Sequence, residues 1–169
     1  MNIIVLSNTH IYRYHEEIAK ALKTIFSTNG SNAQFIDISI KTPMSELNRQ
    51  LSSCSADIII TLDLAGFELR TLTGECLLNM LPCKVCNILW GNKPEYNKYL
   101  TGKLSLSMLF YDATGIDNQL PAKYPDMRYY YPTSQAIPCT TDSQPTHKPE
   151  VIETLQDIMV HFTKEVLLS

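Results

Sequence analysis

Apolar and polar positions follow two alternating rhythms along this chain. Met1-Asn2-Ile3-Ile4-Val5-Leu6 reads as a buried strand that runs into a polar turn, Ser7-Asn8-Thr9-His10. Ile11, Tyr14, Ile18, Leu22, Ile25 and Phe26 then recur at helical spacing, which predicts an amphipathic helix from about Tyr12 to Ser27, stopped by Asn29-Gly30. A second strand is expected over 34–40. A short helix follows over 44–52 after Thr42-Pro43, with Leu47 and Leu51 inward. Ala56 to Leu62 makes a third strand, and its Ile58-Ile59-Ile60 centre lacks polar alternation, the pattern of a strand covered on both faces.

Beyond Asp63-Leu64-Ala65-Gly66-Phe67, a helical segment is expected around 74–80, ended by Pro82. Cys83 to Leu89 is a fourth buried strand, closed by Trp90-Gly91-Asn92-Lys93-Pro94, and a short helix over 95–100 leads to a fifth strand over 104–111. The stretch 112–149 is rich in Pro, Tyr, Ser and Thr. Tyr129-Tyr130-Tyr131 forms a short sixth strand within it, and 132–149 reads as a long surface connection. A final helix over about 149–167 carries Val151, Ile152, Leu155, Ile158, Met159, Phe162 and Val166 on one face, with Pro149, Glu150 and Glu153 suited to its first turn. Strands alternating with helices through short links predict an α/β fold. The expected form is a Rossmann-like parallel sheet of five to six strands, helices on both faces, strand order 3-2-1-4-5.

The 169 residues fit a single domain spanning 1–169. A formal charge of −3 and the lack of any Lys/Arg run give no basic field for phosphates, so nucleic acid is excluded as an expected partner. The first apolar run is too short for a signal sequence or a membrane span, and a cytoplasmic location is expected. The five cysteines, Cys54, Cys76, Cys83, Cys86 and Cys139, are odd in number and have no framework spacing, which suits reduced thiols. Cys83 and Cys86 match C-x-x-C. They begin a strand, however, where residues three apart point to opposite faces, and no second Cys/His pair completes a metal site.

In a sheet ordered 3-2-1-4-5, the ligand crevice lies between strands one and four. Its walls are then Asn8, Thr9 and His10 after the first strand, and Trp90, Gly91, Asn92 and Tyr96 after the fourth. His10 reads either as a general base, since an imidazole at a cleft titrates near neutral pH, or as a helix-start residue bonded to backbone. Asn8 or Thr9 is either a helix cap or, with the free N–H groups behind it, an anion holder. The turn lacks the three glycines of the dinucleotide fingerprint. Asp63, followed by Gly66 and Glu68, reads as orienting His10, as contacting a sugar hydroxyl, or as capping the next turn. Asp112, at the end of the fifth strand, reads as a turn residue. Trp90, the only tryptophan, is either a stacking wall or a core residue. No cofactor and no metal are called for.

The layout of Ala56-Asp57-Ile58-Ile59-Ile60-Thr61 through Gly66-Phe67, Leu78-Asn79-Met80-Leu81-Pro82-Cys83-Lys84-Val85 and Ile88-Leu89-Trp90-Gly91-Asn92-Lys93-Pro94 resembles the N-terminal half of GT-B glycosyltransferases. The nearer likeness is to the bacterial branch that includes spore-maturation-type glycosyltransferases, and it covers roughly residues 1–131. The resemblance implies an acceptor-side half, with His10 matching the histidine base of the first loop and Asp63 its orienting partner. The usual Asp-x-Pro ending of the fourth strand is replaced by Asn92-Lys93-Pro94. The residues after the fifth strand leave no room for a second Rossmann-like half, so the resemblance implies transfer only with a second glycosyltransferase-like subunit that binds the donor. The alternatives are a non-catalytic interaction module, such as a homodimer through the final helix or the Tyr-rich segment, and a flavodoxin-like domain. The last of these predicts strand order 2-1-3-4-5, with Ser7 to His10 as phosphate loop and Trp90 as flavin wall.

Overall fold

An uninterrupted run such as Ile58-Ile59-Ile60 is stable only where both of its faces are covered, and its place in the sheet follows from that need. In the computed structural model, which describes residues 1–38, 43–53, 55–90, 100, 102–113, 120–132 and 149–167, the run lies in the sheet interior. The elements are β1 (Asn2–Ser7), α1 (His15–Thr28), β2 (Asn32–Asp37), α2 (Met44–Ser53), β3 (Ile58–Leu62) and a 3-10 turn (Leu77–Met80). They continue with β4 (Lys84–Leu89), β5 (Met108–Asp112), α3 (Leu120–Lys123), β6 (Arg128–Tyr130) and α4 (Pro149–Leu167). Six parallel strands form one sheet, an α/β Rossmann-like arrangement.

The strand order is β2-β1-β3-β4-β5-β6, which corrects the expected 3-2-1-4-5. The third strand crosses to the far side of β1 instead of lying outside β2. Burial explains the choice: all five residues of β3 are buried, whereas in β2 only Ile36 is buried and the other five positions are exposed or half-buried, which suits the edge. The point where the order of successive strands reverses therefore falls between β1 and β3.

Side chains divide evenly across the sheet. Ile3, Val5, Ile58, Ile60, Cys86 and Ile88 meet α1 and α4 on one face. Ile4, Leu6, Ile59, Val85 and Leu89 meet α2 and the segment from Leu64 to Leu78 on the other. Cys86 and Cys83 fall on opposite faces, as the strand period requires, and Cys54 and Cys139 lie outside the described residues.

Some element limits shift for local reasons. Asn8 caps a series of turns by accepting the Ile11 N–H on Oδ1 (3.1 Å) and the Tyr12 N–H on its carbonyl (2.9 Å), so α1 begins at His15. The helix expected around 74–80 shrinks to the 3-10 turn. Arg70 and Cys76 form an antiparallel bridge, with Thr71 N–H on the Glu75 carbonyl at 2.9 Å, and this hairpin takes up the residues a helix would need. β5 starts at Met108, because the Met108 N–H closes a turn on the Ser105 carbonyl (3.1 Å). The helix expected over 95–100 and most of the 132–149 connection lie outside the described residues.

Candidate functional site

The carboxyl end of β3 delivers Asp63 into the interior. A carboxylate buried to 1% exposure must be met by donors, or its desolvation would go uncompensated. Tyr14 Oη donates to Asp63 Oδ2 at 2.6 Å, His15 Nε2 stands 2.9 Å from the same oxygen, and the Trp90 backbone N–H donates to Oδ1 at 2.6 Å. One side chain thus ties the start of α1 and the end of β4 to the end of β3.

The state of His15 follows from its other nitrogen. The Asn8 backbone N–H donates to His15 Nδ1 at 3.0 Å, so Nδ1 is the acceptor and the ring proton sits on Nε2, pointing at Asp63. Both ring nitrogens are satisfied in this one neutral tautomer. Tyr12 lies tilted over His15 (centroids 4.8 Å apart) and Tyr14 stands edge-on to it (5.0 Å). The rings fill the space that polar groups alone would leave.

Asp63 and Leu64 both adopt left-handed backbone, with φ of 45° and 63°. Asp tolerates that region; Leu does not do so readily, and the strain sits where β3 hands over to the next turn. Gly66 has φ of 96°, and a Cβ there would come within 2.8 Å of Leu6 Cδ1. Its N–H donates to Glu68 Oε2 at 2.9 Å, and burial pushes the Glu68 carboxyl up despite that bond.

On the solvent side, the turn after β1 is held from β2. Ser7 lies in register with Asp37, and Asp37 accepts from Thr9 N–H (2.8 Å), Thr9 Oγ1 (2.5 Å) and Ser7 Oγ (3.3 Å). A carboxylate therefore already occupies the donors that a phosphate would need at this turn. His10 stands exposed beside Thr9 at the carboxyl edge.

The residues expected at the site are thus only partly brought together. Asn8, Asp63 and Trp90 join one network, while Asp63 pairs with His15 and not with His10. The crevice neighbours of β1 are the β3 residues, not those after β4. Trp90 is 1% exposed and so is a core residue rather than a free stacking wall, and its Nε1 has no hydrogen-bond partner among the described residues. Gly91, Asn92 and Tyr96 lie outside the described residues. Asp112 is buried at the end of β5. Sequence reasoning passed over His15, Tyr14 and Asp37. The signal for Asp37 was its place at the end of the strand beside β1; for Tyr14 and His15 it was two polar-tipped rings at the buried start of a helix.

Other chemistry is sparse. Burial pushes the Cys86 thiol well up and the Cys76 thiol up, which leaves neither as an activated nucleophile. Among the described residues no group of three or more His, Cys, Asp or Glu side chains is placed to hold a metal ion. No helix among them is long and apolar enough to cross a membrane. A cavity of about 830 Å³ lies between α1 and α4, floored by Ile3, Ile58, Ile60 and Phe162. Thr24, Thr28 and Thr163 line it, but each gives its hydroxyl to a carbonyl one turn back on its own helix, so they present methyl groups. Lys20, Asn29, Ser31, Gln156 and Lys164 add polar lining, with Lys20 Nζ already held by Glu16 and Glu17. Because the cavity lies between two helices and not at the carboxyl ends of the strands, the carboxyl edge is the better candidate site. No protein-family model matches the chain, and no curated protein or solved structure matches it either.

Proposed function

We propose that the carboxyl edge of β1 and β3 binds a small sugar- or nucleotide-like ligand, and that the domain acts as a glycosyltransferase-related, acceptor-side module. The observation that carries this reading is the buried Asp63 carboxylate, which fixes the start of α1 and the end of β4 through Tyr14, His15 and the Trp90 N–H. Buried, fully engaged polar groups at a strand switch hold a rim rigid, and a rigid rim lowers the ordering cost of binding. Asp37 gives that rim hydroxyl-accepting character. His10, exposed beside it, is the group with access to a ligand proton. Transfer also requires a donor-binding half, and by itself the domain is a binding module.

The test uses the single tryptophan as reporter. UDP-glucose, UDP, glucose and FMN are titrated separately while Trp90 emission and the backbone amide shifts of Asn8, Thr9 and His10 are followed. The expected result is saturable change with a sugar or sugar nucleotide, weakened in His10→Ala. No saturable change at these amides with the sugars and nucleotides overturns the proposal.

One observation favours a second reading. The order β2-β1-β3-β4-β5 is the one a flavodoxin-like domain has. Against it, Trp90 is 1% exposed and its ring lies in the core, so it offers no open face as a flavin wall. Saturable binding by FMN alone, with the yellow colour retained through gel filtration, would establish this reading in place of the first.

A further inference from the structure

Parallel pairing leaves an edge strand with half of its backbone groups turned outward, and which half can be read from one bond. The Ile38 N–H donates to the Ser7 carbonyl at 2.7 Å, just past the end of β2, so even-numbered positions of β2 face β1. Strand alternation then turns the N–H and C=O groups of Ala33, Phe35 and Asp37 to the free edge. Neighbouring β1 lies on the other side, and among the described residues β2 is terminal in the sheet.

The two edges differ. β6 is three residues long, and its Arg128 is held by Glu165 at 2.7 Å, so it is short and charged. β2 is six residues long and, from Asn32 to Asp37, carries no Lys, Arg or Pro, the usual devices that protect an edge from pairing. Ala33 and Phe35 on the α1 side are only partly covered. An apolar margin therefore flanks an open row of hydrogen-bonding groups.

We infer that β2 pairs antiparallel with β2 of a second copy of this chain, around a two-fold axis at Phe35. A two-fold axis normal to the sheet keeps each face on its own side, so only residues of like parity meet. With Phe35 on the axis, its ring meets Phe35 of the second copy on the α1 side, and the partly covered position is closed by its own image. Gln34 then lies opposite Ile36 of the second copy. Asp37, the single charge on the strand, falls opposite Ala33 and not opposite its own copy, so no like charges meet across the edge. Every outward N–H and C=O of Ala33, Phe35 and Asp37 gains a partner. The occupant is a second copy because the strand is complementary to itself in this register. Six residues a side is well below the roughly 20–30 of a stable standard interface, so the dimer is weak and reversible.

The experiment is sedimentation velocity of the full chain from micromolar to near-millimolar concentration, with residue-resolved amide exchange at both extremes. The expected result is a monomer–dimer equilibrium in which the Ala33, Phe35 and Asp37 amides gain protection at high concentration. Gln34 is exposed, so Gln34→Lys is a variant that keeps the fold, and it should weaken dimerisation by roughly tenfold or more through crowding of two cations beside the axis. A monomer at every concentration overturns the inference. So does a dimer that leaves those amides unprotected or ignores Gln34→Lys, which would place the contact on another surface. Protection of the edge by a different chain, with no self-association, overturns it as well.

Discussion

Asp63→Asn isolates the buried charge from everything else at its position. Asn adopts the left-handed region as readily as Asp, so the φ of 45° is not disturbed, and the two side chains are isosteric. What changes is the acceptor set. Asp63 Oδ2 takes both Tyr14 Oη and His15 Nε2, and an amide group in that place points its own hydrogens at two donors. Tyr14 can turn its hydroxyl round; His15 can accept only by moving its proton to Nδ1. That tautomer faces the Asn8 N–H with another N–H and breaks the 3.0 Å bond. If the amide flips, the Trp90 N–H loses its acceptor instead. One buried donor is left without its acceptor in either case, and the other bonds at this position lose their charge assistance. The cost should be about 1–3 kcal/mol, the range for leaving one buried polar group unsatisfied. For a chain of this size that corresponds to a melting temperature lower by roughly 5 °C. Urea unfolding of both proteins gives the difference, and amide exchange at Asn8 should speed up within the native state. A loss below about 1 kcal/mol would refute the reasoning, because it would mean the carboxylate is not what joins the start of α1 to the end of β4.

Three further outcomes are expected. Gly66→Ala should cost about 1–3 kcal/mol in thermal unfolding, since a Cβ at φ of 96° meets Leu6 Cδ1 at 2.8 Å; an unchanged melting temperature would show that Leu6 has room to move. Thr61→Val should cost about 1–3 kcal/mol, because it strips the donor from the buried Asn87 Oδ1 at 2.8 Å, and adding Asn87→Leu should recover part of the loss. Burial pushes the Tyr129 phenol from its ordinary 10.0 up to about 12. The unfolded chain then releases this proton first as pH rises, so stability present below pH 10.0 should fall through to about 12; phenolate absorbance with chemical unfolding across that window checks it, and Tyr129→Phe should flatten the decline.

The strand-and-helix alternation was legible because each element carries its own period. α2 and α4 lie within a residue or so of their expected limits, and the Asn29-Gly30 stop holds, with the Asn29 N–H on the Ile25 carbonyl at 3.2 Å. Strand order was not legible by the same means, since local periodicity says nothing of which strand lies beside which. The clue was present: Ile58-Ile59-Ile60 reads as covered on both faces, and an outer strand in the order 3-2-1-4-5 would not be. At the site, Asp63 and Trp90 are both singled out by the sequence; the core alternative for Trp90 agrees with its 1% exposure, while the pairing of Asp63 with His10 does not agree with the geometry. Asp63 was matched to His10, the histidine nearest the first strand, whereas the turns capped by Asn8 carry the chain round until His15 is the one that points inward. A residue's place in the first turn of a helix depends on where that helix starts, and a shift of three residues exchanges the buried histidine for the exposed one.

The pairing of α4 with α1 bears on how the protein is made. One face of the sheet, with Ile3, Val5, Ile58 and Ile60, is completed only by Leu155, Ile158, Met159 and Phe162 of α4. β1, α1 and β3 leave the ribosome long before α4 does, and for that interval α1 is in place but the part of their apolar face that α4 packs against is open. Synthesis itself therefore opens a window in which this half-built sheet is a substrate for holding chaperones, and a chain stalled before Pro149 would present the same surface permanently. The order in which the chain emerges, and not only its final energy, sets when this protein is most exposed to aggregation.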